Sequence, residues 1–411
     1  MLDPRTTTHD DLRSGTGPWR PGLQRPPGRP LERDMRCDVA IVGAGITGAF
    51  LAEHLSARGL EVVVIDRERE GFGSTAASTA MLQWEIDLSL RDLAALYGFE
   101  RAAEIYRLSF EAVGGLARLV GELALPCGFA RRETVYLAAG EIGPRELIEE
   151  AALRERAGLP GQYLEHAALL SGFGFDRAGA IVSPGSAEAD PLCLCHGLLA
   201  AAARRGARLV RDEVVAYDDA GRAAAVSLSG GATVEAAHLV LATGYVMPDC
   251  VSDDLHEMAS SWAIATVPQP PQALWRGRAL VWEASRDYCY SRTTPDGRII
   301  FGGEDERLSD PERRDSLDQV KTEALRERLH ALLPRASLAI DHAWSGAFGL
   351  TADGLPLIGR VPGRPRLLAA YGYGGNGITF SFLASRLVGR LLEDGEERWF
   401  RHFAIDRPRP A

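Results

Sequence analysis

Three glycines and one aspartate set the first chemical expectation. Gly43, Gly45 and Gly48 stand in "GAGITG" between the apolar run Val39 to Val42 and a segment whose Phe50, Leu51 and Leu55 share a helix face. In such a turn one glycine allows a sharp bend, one lets backbone approach a pyrophosphate, and one packs helix on strand. The helix N-terminus adds free N–H groups and the positive end of its dipole. Eighteen residues after Gly48, Asp66 closes the run "VVVID", where a carboxylate can accept hydrogen bonds from adenosine ribose hydroxyls. Arg67 beside it would suit a 2′-phosphate, but the Asp66 charge would repel one, so an unphosphorylated ribose is expected.

That turn alone does not separate NAD from FAD. The stretch "GSTAASTAMLQWEID", residues 73–87, adds information, because all of its first eight residues are Gly, Ala, Ser or Thr. Ser74, Thr75, Ser78 and Thr79 are short enough for main chain to lie along an extended ligand. Met81 and Leu82 would then pack near an isoalloxazine ring, with Gln83 and Trp84 facing substrate. This favours FAD.

The elements that must position these residues follow from periodicity. Residues 39–66 read as a βαβ unit of the Rossmann kind. Residues 88–122 and 144–157 read as helical, as does "DPLCLCHGLLAAAARR", while "ETVYLA" and "HLVLATGY" read as strands. From 261 to 303 the pattern is β, with a tight turn at Asp296-Gly297. A polar helix spans about 314–332 and a final helix 379–393. Residues 1–34, rich in Pro, Gly and Arg, read as an extended arm in which Trp19 docks on the body.

Composition narrows the function classes. The 411 residues carry a net charge of −10, which argues against nucleic-acid binding, since that affinity is built from clustered cations. Six cysteines show no CxxC pair, and no metal site is expected. No run of 18 or more apolar residues occurs, nor a charged-then-apolar leader, so a cytoplasmic protein without a transmembrane segment is expected. His238, His256 and His342 are read as structural.

In the order and spacing of "DVAIVGAGITGAFLAEHLSARGLEVVVIDRE", "GSTAASTAML", "ADPLCLCHGLLAAAARRGARL", "LVLATGY", "DGRIIFGGEDE", "TADGLPLIG" and "AAYGYGGNGITFS", the chain resembles the flavin-dependent D-amino acid oxidase, glycine oxidase and sarcosine oxidase family over about residues 36–407. The resemblance implies an α/β fold with a discontinuous FAD-binding domain, residues 35–90, 184–255 and 340–411. An interleaved α+β substrate domain, residues 91–183 and 256–339, would carry a mixed or antiparallel sheet. It implies that Gly43, Gly45, Ile46 and Thr47 cradle pyrophosphate and that Asp66 holds the ribose. Ser74, Ser78, Thr79, Ala80 and Met81 would line the flavin side, Val214 would meet adenine, and Thr243-Gly244 would pass close to the cofactor. Gly374, Gly375, Asn376, Gly377 and Ile378 would wrap the far end of the flavin, supporting negative charge at its pyrimidine edge.

Two departures from the family pattern stand out. Where many relatives carry an arginine for the substrate carboxylate, this chain has Phe348; Arg292, on the strand "DYCYSRTT" with Tyr288 and Tyr290, is the remaining candidate. Some relatives use a lysine near the flavin to promote reaction with O₂, whereas Lys321, the only lysine, falls in the polar helix; this favours a dehydrogenase over an oxidase. With no cysteine after Cys289, FAD is expected to bind non-covalently. The expected activity is oxidation of a C–N bond of an amine or amino acid by hydride transfer to flavin N5, giving an imine that hydrolyses. The alternatives are a flavoprotein subunit working only with a partner chain, and an NAD-dependent dehydrogenase.

Overall fold

The computed structural model describes residues 12–19, 26–219, 221, 223–251, 254–393 and 395–408. Two sheets organise them. The first has eight strands, with Leu357–Val361, Arg364–Tyr371, Thr233–Leu241, Met35–Val42, Val62–Asp66 and Arg208–Arg211 side by side, and Val214–Asp218 and Ala224–Leu228 paired beyond. From Arg364–Tyr371 to Arg208–Arg211 all neighbours are parallel. Its apolar runs are long because both faces are covered. Val39, Ile41, Val62 and Val64 pack with the helices Ile46–Ala57, Pro191–Arg204 and Gly377–Leu392. Ala40, Val42, Val63 and Ile65, of opposite parity, pack with Val226, Leu228, Val251 and Ile405.

The second sheet has ten strands, ordered Arg13–Gly15, Ile340–Leu350, Glu257–Thr266, Ile299–Glu306, Tyr290–Thr293, Leu280–Ala284, Ala130–Ala138, Gly179–Glu188 and Met81–Leu82, with Gln162–Glu165 on Gly179–Glu188. It is antiparallel except between Leu280–Ala284 and Ala130–Ala138. Helix Pro311–Leu332 covers its outer face through Leu325, Leu329 and Leu332, against Ile264 and Phe301.

The α/β class and the interleaving of the two parts are as expected, but the strands move the boundaries. Residue 184 falls within the continuous strand Gly179–Glu188, and Ile340–Leu350 pairs along Glu257–Thr266 in the second sheet rather than joining the first. Met81–Leu82 also belongs to the second sheet. In the arm, Arg13–Gly15 pairs with Trp344–Gly346, and Trp19 is buried as expected; residues 1–11 and 20–25 lie outside the described residues. The helical stretch expected over 88–122 is two helices, Leu90–Tyr97 and Phe99–Glu122, because Gly98 adopts φ +82° between them.

Candidate active site

The carboxyl ends of Met35–Val42, Val62–Asp66 and Thr233–Leu241 open onto one cavity of about 870 Å³ that also runs under the second sheet. Ligands of open parallel sheets bind outside that edge. The glycine turn is built as its spacing requires. Gly43 has φ +112°, and a Cβ there would lie 2.2 Å from the Ala242 carbonyl oxygen. A Cβ on Gly48 would lie 1.8 Å from the Gly43 carbonyl oxygen; Gly48 does not line the cavity and acts by letting the helix sit on the turn. Gly45, Ile46 and Thr47 do line it. The Ile46 N–H donates to Thr75 Oγ1 at 2.9 Å, tying the turn to the small-residue segment.

Asp66 accepts from the Ala44 N–H at 2.6 Å and the Glu68 N–H at 2.8 Å. Burial outweighs these bonds and raises its carboxyl to about 6. Arg67, Val214, Thr243 and Gly244 line the same end of the cavity.

The near-bare segment is held from behind. Four consecutive carbonyls accept from large buried side chains: Ala77 from Trp344 Nε1 at 2.8 Å, Ser78 from Trp19 Nε1 at 2.8 Å, and Thr79 and Ala80 from Arg292 Nη1 at 3.0 and 2.8 Å. Its other side, including Ser74, Ser78, Thr79, Ala80 and Met81, faces the cavity. Small residues are needed on one side for approach, and large ones supply the anchors on the other.

This arrangement corrects the expectation for Arg292. It shares a strand face with Tyr288 and Tyr290, yet it does not line the cavity. Its guanidinium is buried on the carbonyls of Thr79, Ala80 and Ala189 and 3.4 Å from Glu188. Trp84 is a second correction. Met81, Gln83, Glu85, Ile86 and Asp87 line the cavity, whereas Leu82 and Trp84 do not. Trp84 packs edge-on against Tyr106 and Phe110 and donates to the Pro184 carbonyl at 3.0 Å; Leu82 is likewise fully buried.

The C-terminal loop closes the cavity with Gly374, Gly375, Asn376, Gly377 and Ile378. Asn376 Nδ2 donates to the Glu85 carbonyl at 2.7 Å, Thr379 Oγ1 to the Gln83 carbonyl at 2.9 Å, and the Gly375 N–H to Asp87 at 2.8 Å. Above it, Tyr288 and Tyr290 line the wall with Tyr245, Trp282, Asp305 and Phe348. Of these, Asp87, Asp305, Tyr245 and Trp282 were not singled out from sequence. Lys321 does not line the cavity; it pairs with Glu304 and Glu306 at 3.5 and 2.7 Å.

These residues fit an extended dinucleotide. The cavity runs continuously from Asp66 past the glycine turn and the 74–81 segment to the tyrosines. Ser74 Oγ and Gln83 Nε2, both in its wall, are buried without a hydrogen-bond partner, as donors awaiting a polar ligand would be. Among the described residues no group of three or more His, Cys, Asp or Glu could hold a metal, and no helix is long and apolar enough to cross a membrane.

Comparison with known proteins agrees. Residues 38–391 match the family model described as FAD dependent oxidoreductase. Gamma-glutamylputrescine oxidoreductase of Escherichia coli is 26% identical over 392 residues, covering 90% of this chain and 86% of that protein. Glycine oxidase of Bacillus licheniformis is 26% identical over 390 residues, covering 90% and 98%. The crystal structure of glycine oxidase from Geobacillus kaustophilus superposes with a TM-score of 0.76 at 24% identity, covering 91% of this chain and 99% of that one. The NAD-dependent alternative is thereby set aside. The chain belongs to the family of FAD-dependent oxidoreductases, and it is an enzyme whose cofactor is FAD.

Proposed function

We propose that the enzyme oxidises a C–N bond of an amine or amino acid, with FAD held non-covalently. The observation that carries this reading is the continuity of one cavity from the phosphate turn to a tyrosine-lined end. The relatives named for gamma-glutamylputrescine and glycine support nitrogen-bearing substrates. FAD, when bound, supplies the two-electron acceptor that converts the amine to an imine, which water then hydrolyses.

The chain's own residues do the rest. Gly43, Gly45, Ile46 and Thr47 would hold the pyrophosphate, Asp66 the ribose, Val214 the adenine side, and the 74–81 and 374–378 segments the flavin. Tyr288, Tyr290, Trp282 and Phe348 exclude water from the substrate, which favours the uncharged amine needed for oxidation. Among the described residues no His lines the cavity, and the one cysteine that does, Cys250, lies by Asp249 and Tyr217 at the adenine end, so neither is placed to bond the flavin. All six cysteines are free thiols, in keeping with a reducing, cytoplasmic location.

Anaerobic addition of amines and amino acids to the purified yellow protein tests the reading. Bleaching of the flavin band by at least one such compound is expected. If only substrates without a C–N bond, such as hydroxy acids, bleach it, the proposal is wrong.

A further inference from the structure

We propose that the substrate end of the cavity selects a substrate with a second positive charge, of the diamine or polyamine class, through Asp87 and Asp305. The inference rests on the amine-oxidising reading above and specifies its substrate.

Asp305 faces the cavity because the backbone is bent to put it there. In the strand Ile299–Glu306, Ile299 and Phe301 point to the outer core beneath helix Pro311–Leu332, and Ile300 points inward. Unbroken alternation would send residue 305 outward. The pairing register instead shifts between Ser260 and Trp262, opposite Gly303 at φ +141° and Glu304 at φ +59°. A bulge of this kind re-aims side chains, and a left-handed non-glycine residue is a strained one. Glu304 and Glu306 consequently turn outward to Lys321, and Glu304 also to Arg328 at 2.8 Å. Asp305 turns inward and lines the cavity.

Asp87 arrives from the other side, on the segment that follows the strand Met81–Leu82. Its carboxylate accepts from the Gly375 N–H, and a Cβ on Gly375 would sit 2.7 Å from Asp87 and 3.5 Å from the Tyr288 hydroxyl. Tyr288 stands 6.1 Å from Tyr290, ring to ring, and the Tyr290 hydroxyl is 3.4 Å from Ser261 Oγ, which also bonds Asp305. The two carboxylates thus flank one aromatic wall. Trp282 belongs to the same wall, is 7% exposed, and its Nε1 has no hydrogen-bond partner.

Among the described residues neither Asp87 nor Asp305 is ion-paired, and the only cations lining the cavity are Arg67 and Arg364. Arg67 follows Asp66 and lies 3.6 Å from Glu213, and Arg364 pairs with Asp219. Both belong to the adenine end. Asp305 is exposed and Asp87 half-buried, so both carboxylates are reachable from the cavity; packing around them and, for Asp305, the charge of Asp87 raise both carboxyls, with Ser261 and Lys321 opposing the rise at Asp305. A substrate carboxylate would meet like charge here with no arginine to receive it. An ammonium would meet two carboxylates beside the tyrosine wall, which favours a cation.

The test compares four-carbon probes on the FAD-loaded enzyme under anaerobic conditions: 1,4-diaminobutane, 1-aminobutane and 4-aminobutanoate, with glycine and N-methylglycine alongside. Calorimetry and perturbation of the flavin band give Kd, and bleaching is scored separately. The diamine is expected to bind at least about tenfold more tightly than 1-aminobutane, with 4-aminobutanoate weakest. In Asp87→Asn and Asp305→Asn the ratio of diamine to monoamine affinity should collapse toward one. The proposal is overturned if wild-type enzyme binds glycine or 4-aminobutanoate as tightly as the diamine, fails to bind the diamine, or if the ratio survives in both variants. Bleaching by glycine without diamine preference would leave C–N oxidation standing and remove charge selection. Diamine preference without bleaching by any amine would do the reverse.

Discussion

Arg292 donates to the carbonyl of Ala80 at 2.8 Å, and Ala80 is a non-glycine residue held at φ +52°. A left-handed alanine costs roughly 1–2 kcal/mol, so the contact holds a backbone shape the chain would not choose alone. With Trp19 and Trp344 it fixes the carbonyls of residues 77–80 away from the cavity. A side chain expected to bind substrate instead shapes the wall of the cavity.

Arg292→Met should therefore destabilise the protein and release flavin. Removing the guanidinium leaves the carbonyls of Thr79, Ala80 and Ala189 without that donor, while Glu188 keeps Arg132 at 2.7 Å; each buried acceptor left unsatisfied costs about 1–3 kcal/mol. Thermal unfolding and the flavin-to-protein absorbance ratio check this. The ranking of carboxylate against non-carboxylate substrates should stay as in wild type.

Trp19→Phe keeps most of the apolar bulk and removes the indole donor to Ser78. Loss of one such bond is worth about 1 kcal/mol, so FAD should bind up to about fivefold more weakly. Fluorescence of released flavin measures the change. An unchanged Kd would mean the arm contributes nothing to the cofactor wall.

Asp66 makes retention of FAD depend on pH. Its carboxyl is raised to about 6, above the ordinary aspartate range, so it is ionised above that pH and protonated below it. The ionised form is the better acceptor for ribose hydroxyls, and binding therefore favours proton loss. FAD affinity should be level above about pH 7 and fall as pH drops through 6. The step at pH 6 should be missing in Asp66→Asn, whose affinity should be low throughout.

Behind the cavity wall, Arg154 is fully buried, 2.7 Å from Glu150 and 3.5 Å from Glu85, and Glu150 caps the start of helix Leu90–Tyr97 through the N–H groups of Leu90 and Arg91. Arg154→Met leaves two carboxylates without their cation. A loss of about 3–5 kcal/mol in unfolding free energy is expected, measured by denaturant titration.

What was readable from sequence follows the range of the forces involved. The glycine turn, its strand and helix, and Asp66 are local, and each was placed from spacing alone. Gly48 illustrates the limit: its spacing was legible, but only the 1.8 Å approach to the Gly43 carbonyl shows that its part is packing rather than contact with a ligand. Trp84 was misplaced because its partners, Tyr106, Phe110 and the Pro184 carbonyl, are not local in sequence. Arg292 was misread because its partners, Thr79, Ala80 and Ala189, lie over a hundred residues away. Asp305 could not have been placed at all without the bulge at Gly303–Glu304, which no local pattern in "GGEDE" announces.

The most direct measurement is the flavin content of the purified chain beside that of Gly43→Ala. A methyl at Gly43 would meet the Ala242 carbonyl at 2.2 Å, in a backbone region alanine avoids. Wild-type protein should carry one FAD per chain, released intact by acid, and Gly43→Ala should carry almost none. A colourless wild-type protein that takes up no FAD on reconstitution, or a Gly43→Ala variant that binds it normally, would contradict the account.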